Sequence, residues 1–220
     1  ITENSNNNME AYRKSTATKF NILENATIII SGKNIEFIGK NNEFDDLLEK
    51  IPDSDRINAF GKLVTPGLID SHTHSVFYGS REEEYGMRIH GASYEEIAQA
   101  GGGILNTTKK VKESSVDDLV KNTIPFLDSF LSNGVTTIEC KSGYGLSTQS
   151  EIKMLDVIKR LDKIHDIDII PTFMGAHEIP MEYRNGNKEK YISLLTEEMI
   201  PMVAEKSLAE YCDVFCEKGV

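Results

Sequence analysis

The sequence predicts an α/β chain in which strands and helices alternate behind a small β-rich unit. Two observations carry this. From Leu63 onward, short apolar runs alternate with amphipathic stretches that open on capping residues and often close on glycine. The links between successive apolar runs are long enough to hold helices, and strands joined by crossover helices pair in parallel.

Residues 1–18 are polar or weakly patterned and are expected to form a flexible lead-in. Residues 19–62 read as part of a small β-rich domain. Within it, Thr27-Ile28-Ile29-Ile30 and Ile35-Glu36-Phe37-Ile38 flank Gly32-Lys33-Asn34, a hairpin signal. Arg56 to Phe60 is expected to add a third strand. Residues 63–220 carry the alternating part. Leu63 to His74 reads as a buried strand, and Ser93-Tyr94-Glu95-Glu96 opens a short helix that stops at Gly101-Gly102-Gly103.

Val116 to Ser132 is a longer helix with Leu119, Val120, Thr123, Leu127 and Phe130 near one face, and Val135 to Cys140 follows as a strand. Thr148-Gln149-Ser150-Glu151 is read as the cap of a helix carrying Ile152, Leu155, Ile158 and Leu161. Ile167 to Phe173 is a strand, Lys188 to Glu205 a helix, and Glu210 to Phe215 a closing strand.

Four such strands make half of an eight-stranded barrel or most of an open doubly wound sheet, and periodicity does not separate the two. The polar residues favour the barrel. His72, His74, Glu139, Lys141, Tyr144 and His177 all fall at C-terminal strand ends, the face on which barrels build active sites, although open sheets also bind there.

A formal charge of −11 is spread along the chain with no basic stripe, which argues against a nucleic-acid partner. No apolar run approaches the ~20 residues of a membrane helix, and no secretory pattern opens the chain. The three cysteines, Cys140, Cys212 and Cys216, lack a disulfide-framework spacing, so a reducing, cytoplasmic location is expected. The first residue is Ile1, so the natural N-terminus is expected to be absent.

Asp70-Ser71-His72-Thr73-His74 is the strongest chemical signal. Side chains two apart on a strand share a side, so both imidazoles can face one metal, and imidazole suits zinc or iron. Two unliganded loop histidines are the alternative, weakened by the apolar strand that precedes them. Arg81, in Gly79-Ser80-Arg81-Glu82, could hold a substrate carboxylate or simply be solvated. Gly143 and Gly145 let the chain turn around Tyr144. Lys141 reads as a carboxylate partner or a carbamylated metal bridge. His177, after the strand that ends near Phe173, could donate to an oxyanion, shuttle a proton or bind metal. His90 and His165 are expected at the surface, Cys212 and Cys216 in buried packing. Gly101-Gly102-Gly103 follows a helix and so is no phosphate loop.

Thr65-Pro66-Gly67-Leu68-Ile69-Asp70-Ser71-His72-Thr73-His74 resembles the signature strand of the amidohydrolase superfamily. Gly79-Ser80-Arg81-Glu82, Ala100 to Ile104, Lys141 to Gly145 and Phe173 to His177 narrow the resemblance to the imidazolonepropionase family. This implies the first half of a metal-dependent (β/α)8 TIM-like barrel preceded by part of a small β-sandwich domain. It implies hydrolysis of the cyclic amide of 4-imidazolone-5-propanoate to N-formimidoyl-L-glutamate in histidine catabolism, with one zinc or iron ion. His72 and His74 are then metal ligands; Arg81, Tyr94, Tyr144 and His177 contact substrate, and His177 is catalytic. Lys141 is not a ligand in that family.

A further His, a Glu and an Asp are expected beyond Val220, so the chain is expected to be incomplete. A small-molecule substrate is the expected partner, with no membrane partner, and a homodimer is open to the full-length form. The competing readings are another cyclic amidase or deaminase of the superfamily, such as a dihydroorotase or guanine deaminase, and a truncated non-catalytic form. A His and an Asp at later strand ends would favour the enzyme.

Overall fold

The computed structural model describes residues 22–44, 49–93, 96–97 and 102–216; the expected lead-in 1–18 and Tyr94 lie outside them. The chain divides into two compact units, residues 1–66 and 67–220.

In the first unit, β1 (Ala26–Ser31) and β2 (Asn34–Lys40) pair antiparallel around Gly32-Lys33, as the hairpin signal predicts. Gly32 takes φ +58°, a left-handed conformation that only glycine adopts at little cost. The expected third strand is not formed. Arg56 to Phe60 is irregular; the Asn58 side chain takes the Phe60 N–H at 2.9 Å, turning the chain locally, and the Arg56 guanidinium reaches back to the Ile51 carbonyl rather than along a strand.

The second unit is built on a four-stranded parallel sheet in the order β3 (Leu68–Thr73), β4 (Val135–Lys141), β5 (Asp168–Ala176), β6 (Tyr211–Val214). The helices are α1 (Glu82–Ile89), α2 (Ile104–Glu113), α3 (Val116–Ser132), α4 (Thr148–Ile164), α5 (Lys188–Leu194) and α6 (Ile200–Glu205). Thus the predicted mixed α/β class with parallel pairing is found. The strand β3 starts pairing at Leu68 rather than Leu63, and it is not buried: Leu68 is 57% and Ile69 71% exposed. An apolar run shows the tendency to be covered, but which neighbours cover it is decided elsewhere in the chain.

The core lies between the sheet and its helices. Ile138 and Cys140 of β4 and Ile169 and Phe173 of β5 meet Leu119 and Leu127 of α3 and Met154, Leu155, Ile158 and Leu161 of α4. In α3 the predicted face holds, with Ser115 as N-cap in a capping box with Asp118. The predicted helix over 188–205 is continuous but contains a π turn over 195–199 between α5 and α6. Pro201 explains it, since a proline has no N–H to give to the carbonyl four residues earlier and its ring crowds that group.

Helix α2 has no strong sequence signal of its own. Its C-terminal end is held by Lys153 of α4, whose ammonium donates to the carbonyls of Val111 (2.7 Å), Lys112 (3.1 Å) and Ser114 (2.8 Å). A cation there satisfies carbonyls that the helix leaves open and meets the negative end of its dipole. Among the described residues no helix is long and apolar enough to cross a membrane. Replacing Lys153 with Met should lower unfolding free energy by about 1–3 kcal/mol, measured as a shift of the urea midpoint.

Candidate active site

The face of the sheet away from the helices carries Glu139, Lys141 and Asp213 beside the apolar Ile170 and Met174, and its C-terminal end gathers His72, His74, Tyr144 and His177. Alternation along β4 sends Ile138 and Cys140 to the core and Glu139 and Lys141 to the opposite side. The Lys141 ammonium donates to Glu139 Oε1 at 2.7 Å and to Asp213 Oδ2 of β6 at 2.8 Å. The second bond passes across β5, so this face curves inward. Burial pulls the ammonium down, but the two carboxylates outweigh burial and raise its pKa above the usual 10.5. Lys141 is therefore a partner of carboxylates. The hydrogen bond and charge of Lys141 hold the Asp213 carboxyl below its ordinary 3.8.

Beside this ion pair stands a cluster of rings. His72 and His74 lie 5.6 Å apart between centroids at 69°. His74 stacks on His177 at 4.5 Å and 11°, and Tyr144 meets both, at 5.3 and 5.4 Å. Phe215 closes on His177 edge to face at 6.3 Å. Burial, then the neighbouring His177, His72 and Lys141, pull the His74 pKa down to about 4, against a weak opposing pull from the Ser142 backbone. The ring is neutral at pH 7, the state a metal ligand requires. Burial pushes the Tyr144 hydroxyl up, which keeps it a hydrogen-bond donor.

The segment that carries Tyr144 is pinned at both ends. Ser142 Oγ accepts from the Met174 N–H at 2.9 Å, and the His177 Nδ1–H donates to the Gly143 carbonyl at 2.9 Å. Gly143 has φ +105°, and a Cβ there would stand 2.9 Å from the Met174 carbonyl and 3.0 Å from the His177 ring. Only glycine fits. On the far side of His177, the buried Tyr191 hydroxyl donates to the Gly175 carbonyl at 2.8 Å.

Arg81 is exposed at the N-terminal end of α1 and is already engaged, its Nε and Nη2 reaching Glu84 Oε2 at 2.8 and 2.7 Å. Its positive charge is nonetheless felt at Tyr144. Tyr94 lies outside the described residues, so its predicted role has no geometry. His90 is exposed, as expected. His165 is half-buried: its side chain is 9% exposed and faces the exposed Asp128 at 3.3 Å. Cys212 and Cys216 are exposed rather than packed, because nothing among the described residues covers β6 there, whereas Cys140 is buried. Burial raises the Cys140 thiol to about 11.

Whether these residues suit a metal is tested by their donors. His74 Nδ1 is buried with no hydrogen-bond partner, as is Glu139 Oε2. A neutral imidazole with an unsatisfied nitrogen beside a second imidazole suits a divalent ion as part of a ligand set. Among the described residues, no group of three or more His, Cys, Asp or Glu is arranged to complete it. The sequence alone did not single out Asp213 or Phe215, and its pattern makes the buried Glu151 a helix cap; each acts through a contact distant along the chain or hidden by a commoner pattern.

No protein-family model matches the chain. Curated proteins do. An imidazolonepropionase of Geobacillus sp. (strain WCH70) is 46% identical over 208 residues, 94% of this chain and 49% of that protein. Those of Shouchella clausii and Clostridium tetani are 47% and 46% identical over 92% and 91% of this chain, and 45% and 47% of their own lengths. The chain is a relative of the imidazolonepropionases. It spans about half the length of the curated relatives it matches, and the matched span takes in nearly all of the chain.

The ion pair beside the rings yields a test. A carboxyl whose pKa is lowered on folding stabilises the fold above its unfolded value of 3.8, and that contribution is lost as pH falls through the lowered folded value. Asp213 is 41% exposed on its side chain, so screening limits the gain to about 0.5–1 kcal/mol at pH 7. Asp213→Asn should lose that amount in urea unfolding at pH 7, and the gap from the unsubstituted chain should narrow progressively as pH falls below 3.8. Lys141→Met, which strands the part-buried Glu139, should cost more, about 3–5 kcal/mol at pH 7.

Proposed function

We propose that the chain supplies the first metal ligands and the substrate-facing groups of an imidazolonepropionase, a hydrolase that opens the cyclic amide of 4-imidazolone-5-propanoate to N-formimidoyl-L-glutamate in histidine degradation. The observation that carries this is the convergence of His72, His74, Tyr144 and His177 on one end of a parallel sheet. Identity of 46% to a protein of that name over 94% of the chain supports it. The same reading makes residues 63–220 part of a (β/α)8 TIM-like barrel and residues 19–62 part of a small β-sandwich domain. Cytoplasmic placement is supported by three free thiols, and a homodimer of the full-length form belongs to the reading.

His72 and His74 would hold one zinc or iron ion. Such an ion supplies a Lewis acid and lowers the pKa of water, the two things amide hydrolysis at neutral pH needs. The remaining steps fall to the chain's own side chains. Tyr144, kept protonated by burial, donates a hydrogen bond to the ring or its carbonyl oxygen. Because the His177 Nδ1–H donates a hydrogen bond to the Gly143 carbonyl, the neutral ring accepts at Nε2; it steadies an oxyanion only once charged. Arg81 binds the propanoate carboxylate by exchanging it for Glu84, a like-for-like swap of partners. Tyr94 completes the substrate contacts in this reading.

The test uses a chimera in which residues 1–220 replace the matching portion of the Geobacillus protein. Hydrolysis of imidazolonepropanoate is expected from the chimera, and none from residues 1–220 alone. A folded chimera without hydrolysis overturns the proposal. In the active chimera, Arg81→Ala should raise KM by roughly 10- to 100-fold with a smaller effect on kcat. His72→Ala and His74→Ala should each reduce bound metal, read by elemental analysis of the purified protein.

A further inference from the structure

The sequence pattern makes Glu151 a helix-capping carboxylate, paired with Thr148. The structure gives it other work. Ser147, not Thr148, precedes α4, and neither makes a side-chain cap bond; the Thr148 hydroxyl donates to Glu198 instead. Glu151 is fully buried and turns back into the loop before the helix. Its Oε2 accepts from the Gly143 N–H at 2.9 Å, and its Oε1 from the Gly145 and Leu146 N–H groups at 2.7 and 2.8 Å.

We propose that Glu151 is a positioning residue for His177, acting through the Ser142–Leu146 loop; it rests on the functional reading above only for what His177 is used for. A buried carboxylate is costly unless its lone pairs are met. Here three backbone amides of the preceding loop meet them, and Glu151 itself sits in the first turn of α4, where the helix dipole favours negative charge. The clamp holds the peptides on both sides of Tyr144. The amide entering Gly143 is tied to Oε2, and the amide entering Gly145 is tied to Oε1. The peptide between them carries the Gly143 carbonyl, which is thereby aimed at His177 Nδ1.

A carbonyl only accepts, so His177 carries its proton on Nδ1 and keeps the lone pair of its neutral form on Nε2. The buried carboxylate thus selects a tautomer two contacts away. No room remains for a looser fit, since a Cβ on Gly145 would lie 2.5 Å from the Glu151 backbone nitrogen and 2.8 Å from its carboxylate.

The experiment reads the tautomer directly, without activity, on the 220-residue chain labelled with 15N-histidine and observed by long-range proton–nitrogen correlation. His177 is assigned by the signals lost in His177→Asn. The unsubstituted chain should show His177 protonated at Nδ1. In Glu151→Gln the side-chain amide sets a donor against one of the loop N–H groups, and the ratio of Nδ1–H to Nε2–H forms should fall by roughly five- to tenfold, the worth of one hydrogen bond. Asp156→Asn, an exposed change on the same helix, should leave the ratio unmoved.

If Glu151→Gln does not fold, Glu151→Asp is read the same way, its shorter reach releasing part of the clamp. Protonation of His177 at Nε2 in the unsubstituted chain, or an unchanged ratio in a folded Glu151 variant, overturns the proposal. So does failure of both variants to fold, which would make Glu151 a fold determinant. An inactive chimera with a shifted tautomer would remove the functional reading and leave this one, and an active chimera with an unshifted tautomer would do the reverse.

Discussion

The face of the sheet away from the helices is organised by one buried cation. A Lys141 ammonium withdrawn from water needs its charge met at short range, and it is met by a carboxylate from its own strand and one from β6, two strands away. That requirement ties β4 to β6 across β5 and fixes the end of β4 just where the Ser142–Leu146 loop departs. The other face is under the opposite constraint, packing aliphatic side chains against α3 and α4. A sheet with an ion pair on one face and an oily core on the other has a single way to sit, and the rings of the candidate site inherit their positions from it.

Charge is also sorted among these groups. The ion pair lies beside the rings, close enough for Lys141 to act on His74. His74 is kept neutral by burial and by its neighbours His177, His72 and Lys141, and Tyr144 keeps its proton because burial penalises phenolate. His74 and Tyr144 therefore stand as neutral groups, while the carboxylates of Glu139 and Asp213 have been supplied with their own cation. Such an arrangement leaves the unpartnered Nδ1 of His74 without competition from a proton at pH 7.

Much of this was legible in the residues. An apolar strand followed by two histidines at spacing two, and a histidine just past another strand, can be read with no knowledge of neighbours, because strand geometry alone sends them to one side. What failed depended on partners. Arg56 to Phe60 has strand composition but turns locally instead. Cys212 reads as packed and His165 as a surface residue; the structure exposes the first and half-buries the second, since burial belongs to the surroundings rather than to the residue. Glu151 was hidden by its own pattern: a hydroxyl residue three before a glutamate reads as a cap, and only the position of the preceding loop shows that the carboxylate points elsewhere.

Cys140 gives this architecture a clock. Its sulfur lies on the oily side of β4, and burial holds its thiol near 11, so little reactive thiolate exists while the strand stays in place. Cys212 and Cys216 stand exposed on the same chain. A thiol reagent will mark those two at the pace of its own diffusion and chemistry, and Cys140 only when the sheet and its helices part. The delay between the first labels and the last is a count of how seldom the molecule opens, kept by a residue that has no part in the site.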